Sequence, residues 1–130
     1  MVTEFFLHMI PPTKTHQEKQ VTVVNGKPVF YEPPELKAVR AKFRAHLSKH
    51  VPEQKYTGAI RLITKWCYPR GKHKDGEWKK TKPDTHNMVK LPVDVMQELG
   101  YFSNDAIIAS EVIEKFWAEV PGIYVRIEEL

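Results

Sequence analysis

A chain of 130 residues is long enough to bury a core without cross-links and short enough to be one domain. At 42% hydrophobic and 28% charged residues it falls outside the compositions of disordered chains, and no apolar run approaches a membrane span. A net charge of +4 favours a polyanionic partner.

The single Cys67 excludes an internal disulfide. Its apolar surroundings make it a packed strand thiol rather than a nucleophile, in keeping with a reducing compartment. The apolar start Phe5-Phe6-Leu7 is too short for a secretory signal and has no basic flank before it.

In chain order, residues 3–10 suit a first strand, ended by Pro11-Pro12. Residues 13–20 read as a polar loop. Val21 to Val24 and Lys27 to Tyr31 flank Asn25-Gly26, the pair a tight hairpin turn prefers. Pro33-Pro34 opens a helix that runs to about Lys49, with Leu36, Val39, Phe43 and Leu47 on one face and basic residues on the solvated remainder. Residues 57–68 are rich in β-branched and aromatic types and form the best strand in the chain.

Residues 85–99 read as a second helix with Met88, Leu91, Val95 and Leu99 on its core face, Gly100 as C-cap and a kink or break at Pro92. Residues 106–117 suit a strand, with 110–115 ambiguous with helix, and Ile123 to Ile127 a last strand beyond a Pro121-Gly122 turn. The last two segments suggest a hairpin. This order implies an α+β domain, a mixed β-sheet with two main helices packed on one face.

The charge is uneven. Residues 70–82 hold Arg70, Lys72, Lys74, Lys79, Lys80 and Lys82 against Asp75 and Glu77, so this loop carries the whole excess. It leads into Lys82-Pro83-Asp84-Thr85-His86-Asn87-Met88-Val89-Lys90. On a helix starting near Thr85, His86, Lys90 and Asp94 are four apart and share a face, with Asp84 at the N-cap. Asp105 follows in a loop that a reversal at Gly100 can return to the helix. Carboxylates converging beside a basic loop suit a hard divalent cation and a phosphodiester, with a lysine on the phosphate. The same residues also suit a plain capped helix, a turn aspartate and a solvated lysine loop.

The run from Lys82 to Lys90, followed by Asp94-Val95-Met96, Gly100-Tyr101-Phe102, Asn104-Asp105 and Ile107, resembles the RusA family of Holliday junction resolvases, endodeoxyribonucleases of phages, prophages and bacteria. The resemblance extends to the early strand ending in Pro-Pro and to the closing Pro-Gly-Ile. It implies a single RusA-like nuclease domain over residues 1–130 that acts as a homodimer in the cytoplasm of a bacterial host. Its implied role is to bind four-way DNA junctions and nick opposed strands in recombination and repair.

It further implies Mg2+ (or Mn2+) held by Asp84, His86 and Asp105. Asp84, Lys90 and Asp105 are then catalytic, and Asn87 and Asp94 supporting. Lys72, Lys74, Lys79, Lys80 and Lys82 lie on the DNA backbone. His86 departs from the pattern, standing where the family has an aspartate, and Asn104 replaces an acid. A neutral imidazole prefers softer metals than magnesium. The alternative to a nuclease is therefore a weak or inactive protein that binds branched DNA. A structural accessory protein with no nucleic-acid role is a third reading.

Overall fold

The computed structural model describes residues 1–14 and 20–130, so the loop expected over residues 13–20 lies mostly outside the described residues. The architecture is built on β4 (Ile60–Pro69). Ile60, Leu62, Thr64, Trp66 and Tyr68 alternate with Arg61, Ile63, Lys65, Cys67 and Pro69, which buries one face of the strand and leaves the other part-open. β4 pairs along both edges, parallel with β5 (Ile108–Ala118) and antiparallel with β6 (Gly122–Glu129). β1 (Val2–Leu7) pairs antiparallel with the far edge of β6, giving the order β1-β6-β4-β5.

β2 (Gln20–Val24) and β3 (Lys27–Tyr31) form a separate ribbon. As the sequence suggests, Asn25 and Gly26 make its turn, both at positive φ.

The hairpin expected between the last two strands does not form. β5 and β6 flank β4 instead, and residues 119–121 straddle its end: Ala118 pairs with Pro69 and Gly122 with Cys67. The most apolar strand takes an interior position, and β5, with Glu111, Glu114 and Lys115, goes to the edge where charge is tolerated. The segment ambiguous with helix is strand throughout. Gly122 is required where β1 passes. A Cβ there would lie 2.6 Å from the Leu7 carbonyl oxygen and inside the Phe6 ring.

α1 (Pro34–Leu47) buries Leu36, Phe43 and Leu47 against the inner face of the sheet, and Phe43 meets Trp66 edge-on at 6.1 Å. α2 (Thr85–Met88) and α3 (Lys90–Leu99) replace the single helix expected over residues 85–99. Pro92 has no N–H for the Met88 carbonyl, and its ring crowds that oxygen. The break therefore falls at Val89, a turn ahead of the proline.

Arg40 and Arg44 of α1 reach Glu98 of α3 at 3.1 and 3.0 Å, so part of the basic face of α1 ties two helices together. The outer face of the sheet carries its own ion pairs, Arg126 with Glu4 (2.6 Å) and Glu128 (3.0 Å) and Arg61 with Glu128 (2.8 Å).

The Phe5 ring stacks on His50 with centroids 4.3 Å apart. Burial, then the charge of Lys49, holds His50 below its ordinary 6.5, and His46 is lowered by burial and then by Lys49 and Lys42. A histidine depressed in the fold stays neutral there while the unfolded chain takes up a proton. Stability is thus full above pH 6.5 and declines as the pH falls from 6.5 toward the lowered folded values. Melting midpoints are expected to fall between about pH 7.5 and about pH 5.5, and the fall should shrink in a His46→Gln/His50→Gln chain. An equal fall in both chains would count against this origin.

Candidate active site

His86, Val89, Lys90, Val93 and Asp94 from α2 and α3 line a cleft of about 510 Å³ together with Asp105, Ile108 and Glu111. Gly100 ends α3 in the left-handed region (φ 93°) and turns the chain back, a conformation that favours glycine. The Asn104 side chain then accepts from the Ala106 N–H at 2.8 Å, which caps a short turn over Asp105–Ile107. Gln97 Oε1 accepts from the Asp105 N–H at 2.9 Å and ties that turn to α3. Asp105 thereby joins His86, Lys90 and Asp94 in one cleft.

Glu111 is the residue that sequence reasoning misses. In a regular strand, residues 108 and 111 point to opposite faces. Here Ile60 pairs with Ile108 but Arg61 pairs with Ser110, so Ala109 is an extra residue in β5. This bulge places Glu111 opposite Leu62, on the inner face, and both Ile108 and Glu111 line the cleft. The bulge has no sequence signature. Although Glu111 is exposed as a residue, partial withdrawal from water raises its pKa from the ordinary carboxylate value.

Asp84 is at the N-cap of α2, exposed, with no side-chain capping bond, and outside the cleft lining. Asn87 is 3% exposed, and its Oδ1 accepts no hydrogen bond among the described residues. Asp94 faces the cleft and adds to the negative field that raises the Arg40 pKa, an effect led by the hydrogen bonds Arg40 donates to Glu32.

The basic loop is moored to the edge of β5. Trp78 bridges Phe116, and the Lys79 N–H donates to the Lys115 carbonyl at 3.0 Å. Lys115 Nζ in turn donates to the carbonyls of Thr81 and, at 2.7 Å, Pro83, which fixes the chain just before Asp84. Lys72, Lys74, Lys80 and Lys82 are exposed and pair with no carboxylate among the described residues.

Lys79 departs from the backbone contact expected of it. It is 7% exposed, with Nζ 4.2 Å from the Trp117 ring centroid, 5.1 Å from that of Tyr68, and donating to Thr81 Oγ1 at 2.6 Å. Two aromatic faces hold it as a structural cation.

Three carboxylates against one ammonium leave the cleft formally at −2 with His86 neutral. A phosphodiester approaching that charge is repelled until a cation offsets it, and hard oxygen donors suit Mg2+ or Mn2+. No three His, Cys, Asp or Glu side chains among the described residues stand close enough to enclose a metal. The donor set fits an ion that keeps part of its shell for water and substrate, as magnesium does. Among the described residues no helix is long and apolar enough to cross a membrane.

The sequence model of the family described as Endodeoxyribonuclease RusA matches residues 10–128. The chain is 29% identical over 130 residues to the crossover junction endodeoxyribonuclease rusA of Lactococcus phage r1t, covering 98% of this chain and 96% of that one. It is 28% identical over 121 residues to YqaN of Bacillus subtilis (strain 168), a protein described as uncharacterized, covering 84% of each. With the match spanning β2 to β5, nearly all of β6, the basic loop and every residue of the cleft, the chain belongs to the RusA family of endodeoxyribonucleases.

Proposed function

We propose that this chain is a metal-dependent endodeoxyribonuclease that resolves four-way DNA junctions by nicking opposed strands, with the cleft between α2–α3 and β5 as its active site. The observation that carries this reading is the return of Asp105 to a cleft that already holds Lys90 and His86.

His86 and Asp105 would contact the divalent cation from the cleft; Asp84, the third residue expected to hold it, sits at an N-cap outside the lining and does not form a three-residue group with them. The bound ion supplies counter-charge and lowers the pKa of a water ligand. Lys90 has no ion-pair partner among the described residues and is free to hold a non-bridging phosphate oxygen. Val89, Val93 and Ile108 give the cleft an apolar wall that strengthens these charge interactions. With an imidazole among the donors, Mn2+ is expected to support faster cleavage than Mg2+.

A synthetic four-way junction incubated with either ion should yield symmetric paired nicks. No product in either ion, with junction binding retained, would leave the alternative of a binding protein without cleavage.

Lys72, Lys74, Lys80 and Lys82 would track the DNA backbone. Replacing all four by alanine is expected to weaken binding evenly across junction sequences. It should also flatten the dependence of log K on log salt by about 3 to 4, at roughly 0.9 for each phosphate no longer neutralised. An unchanged slope would place the DNA elsewhere. A junction offers two equivalent strands, so a homodimer with two clefts about a dyad matches it.

A further inference from the structure

We propose that Lys115 is a positioning residue of the cleft: its ammonium group, reaching over from β5, clasps the carbonyls of Thr81 and Pro83 and holds the start of α2, with Asp84 and His86, in place beside the β5 wall. The inference deepens the reading of this cleft as a nuclease site and rests on it.

Three observations carry it. First, the two acceptors bracket the entry to α2. Lys115 Nζ donates to the Thr81 carbonyl and, at 2.7 Å, to that of Pro83, the residue before Asp84. Lys82 lies between them and stays exposed. On the helix side, the N–H groups of Asn87 and Met88 donate to the Asp84 carbonyl at 3.1 Å each. The Asp84 side chain makes no capping bond, so backbone held on both sides sets where its carboxylate stands.

Second, the clasp springs from a wall of the cleft. Lys115 pairs with Trp66 as Glu111 pairs with Leu62, which puts both on the inner face of β5. Glu111 lines the cleft together with His86 and Lys90. The strand that supplies one wall therefore also holds the helix that supplies the other.

Third, the ammonium group stands against repulsion and away from carboxylates. Lys79 lies close by, its pKa lowered first by burial and then by the Lys115 charge. The neighbouring Glu114 pairs with Lys65 at 3.9 Å, and Lys115 forms no ion pair among the described residues. Hydrogen bonds from a charged donor are the stronger kind, so two of them tether a loop firmly.

Lys115→Met keeps the aliphatic stem and removes the ammonium group. In amide hydrogen exchange on the DNA-free protein, the Asn87 and Met88 N–H groups should exchange at least about tenfold faster in the variant, with the amides joining β4 to β6 unchanged. The kcat for nicking a four-way junction in Mn2+ should fall roughly ten- to a hundredfold, because a displacement on the order of 1 Å is enough for that. The KM for the junction should stay within about threefold, as for a group that acts on the reacting geometry and not on binding. Lys115→Arg keeps the charge and several donors and should recover most of the rate.

Unchanged exchange at Asn87 and Met88 would overturn the proposal. A kcat within about twofold of the parent despite faster exchange would also overturn it, leaving Lys115 a structural residue. So would a Lys115→Arg chain as slow as Lys115→Met. A parent chain that nicks no junction would sink the nuclease reading, and faster exchange in Lys115→Met would still establish that Lys115 holds the start of α2.

Discussion

Asp105→Asn is expected to give a folded protein that still binds four-way junctions but nicks them roughly 100- to 1000-fold more slowly. The fold should tolerate the change. Asp105 is exposed, its side chain has no partner among the described residues, and the bond that fixes its turn runs from its backbone N–H to Gln97. What the change removes is one of the three carboxylates that set the charge of the cleft.

A second effect has the opposite sign. With less negative charge in the cleft, junction affinity in the absence of metal should hold or rise while the rate falls. Single-turnover nicking at saturating protein, read beside binding in chelator, separates the two. A rate close to that of the parent chain would remove Asp105 from the chemistry.

Trp66→Ala should destabilise the domain by about 3–5 kcal/mol, a loss on the order of 10–20 °C in melting temperature. Trp66 is fully buried at the interior of the sheet under α1, edge-on to Phe43. Its Nε1–H donates to Thr64 Oγ1 at 2.9 Å. Truncation opens a cavity between sheet and helix and leaves a buried hydroxyl without its donor. Calorimetry on the two chains measures the difference, and a shift of only a few degrees would mean that α1 collapses into the space.

Much of the fold is legible from periodicity and residue type. Leu36, Phe43 and Leu47 mark the buried face of α1 by their spacing, and the β-branched and aromatic residue types up to Tyr68 mark β4. Asn25-Gly26 and Gly100 announce their turns because each needs a backbone conformation that few residues adopt cheaply.

The misses share a cause: each depends on a partner that is distant in sequence. β5 and β6 are separated by three residues and so suggest a hairpin, yet a strand from the middle of the chain enters between them. Lys79 reads as one more solvated lysine until Tyr68 and Trp117 close over it. In the candidate site, the helical spacing of His86, Lys90 and Asp94 survives the break at Val89, and the glycine reversal returns Asp105. Asp84 stays at its N-cap outside the cleft lining, and Glu111 enters only through a local mismatch in strand pairing.

The position of β6 has a consequence for folding. It is an interior strand: it pairs with β4 on one side and, among the described residues, is the only partner of β1 on the other. A nascent chain that has reached Ala118 already contains every residue of the cleft and the whole basic loop, but β1 has no strand to join. Phe5 and Leu7 must wait for residues 122–129 before they can pack in register. Pairings between opposite ends of a chain form slowly, because much chain entropy is given up before any favourable packing offsets it. A chain without residues 122–129 therefore carries every residue of the cleft but lacks the strand that frames it.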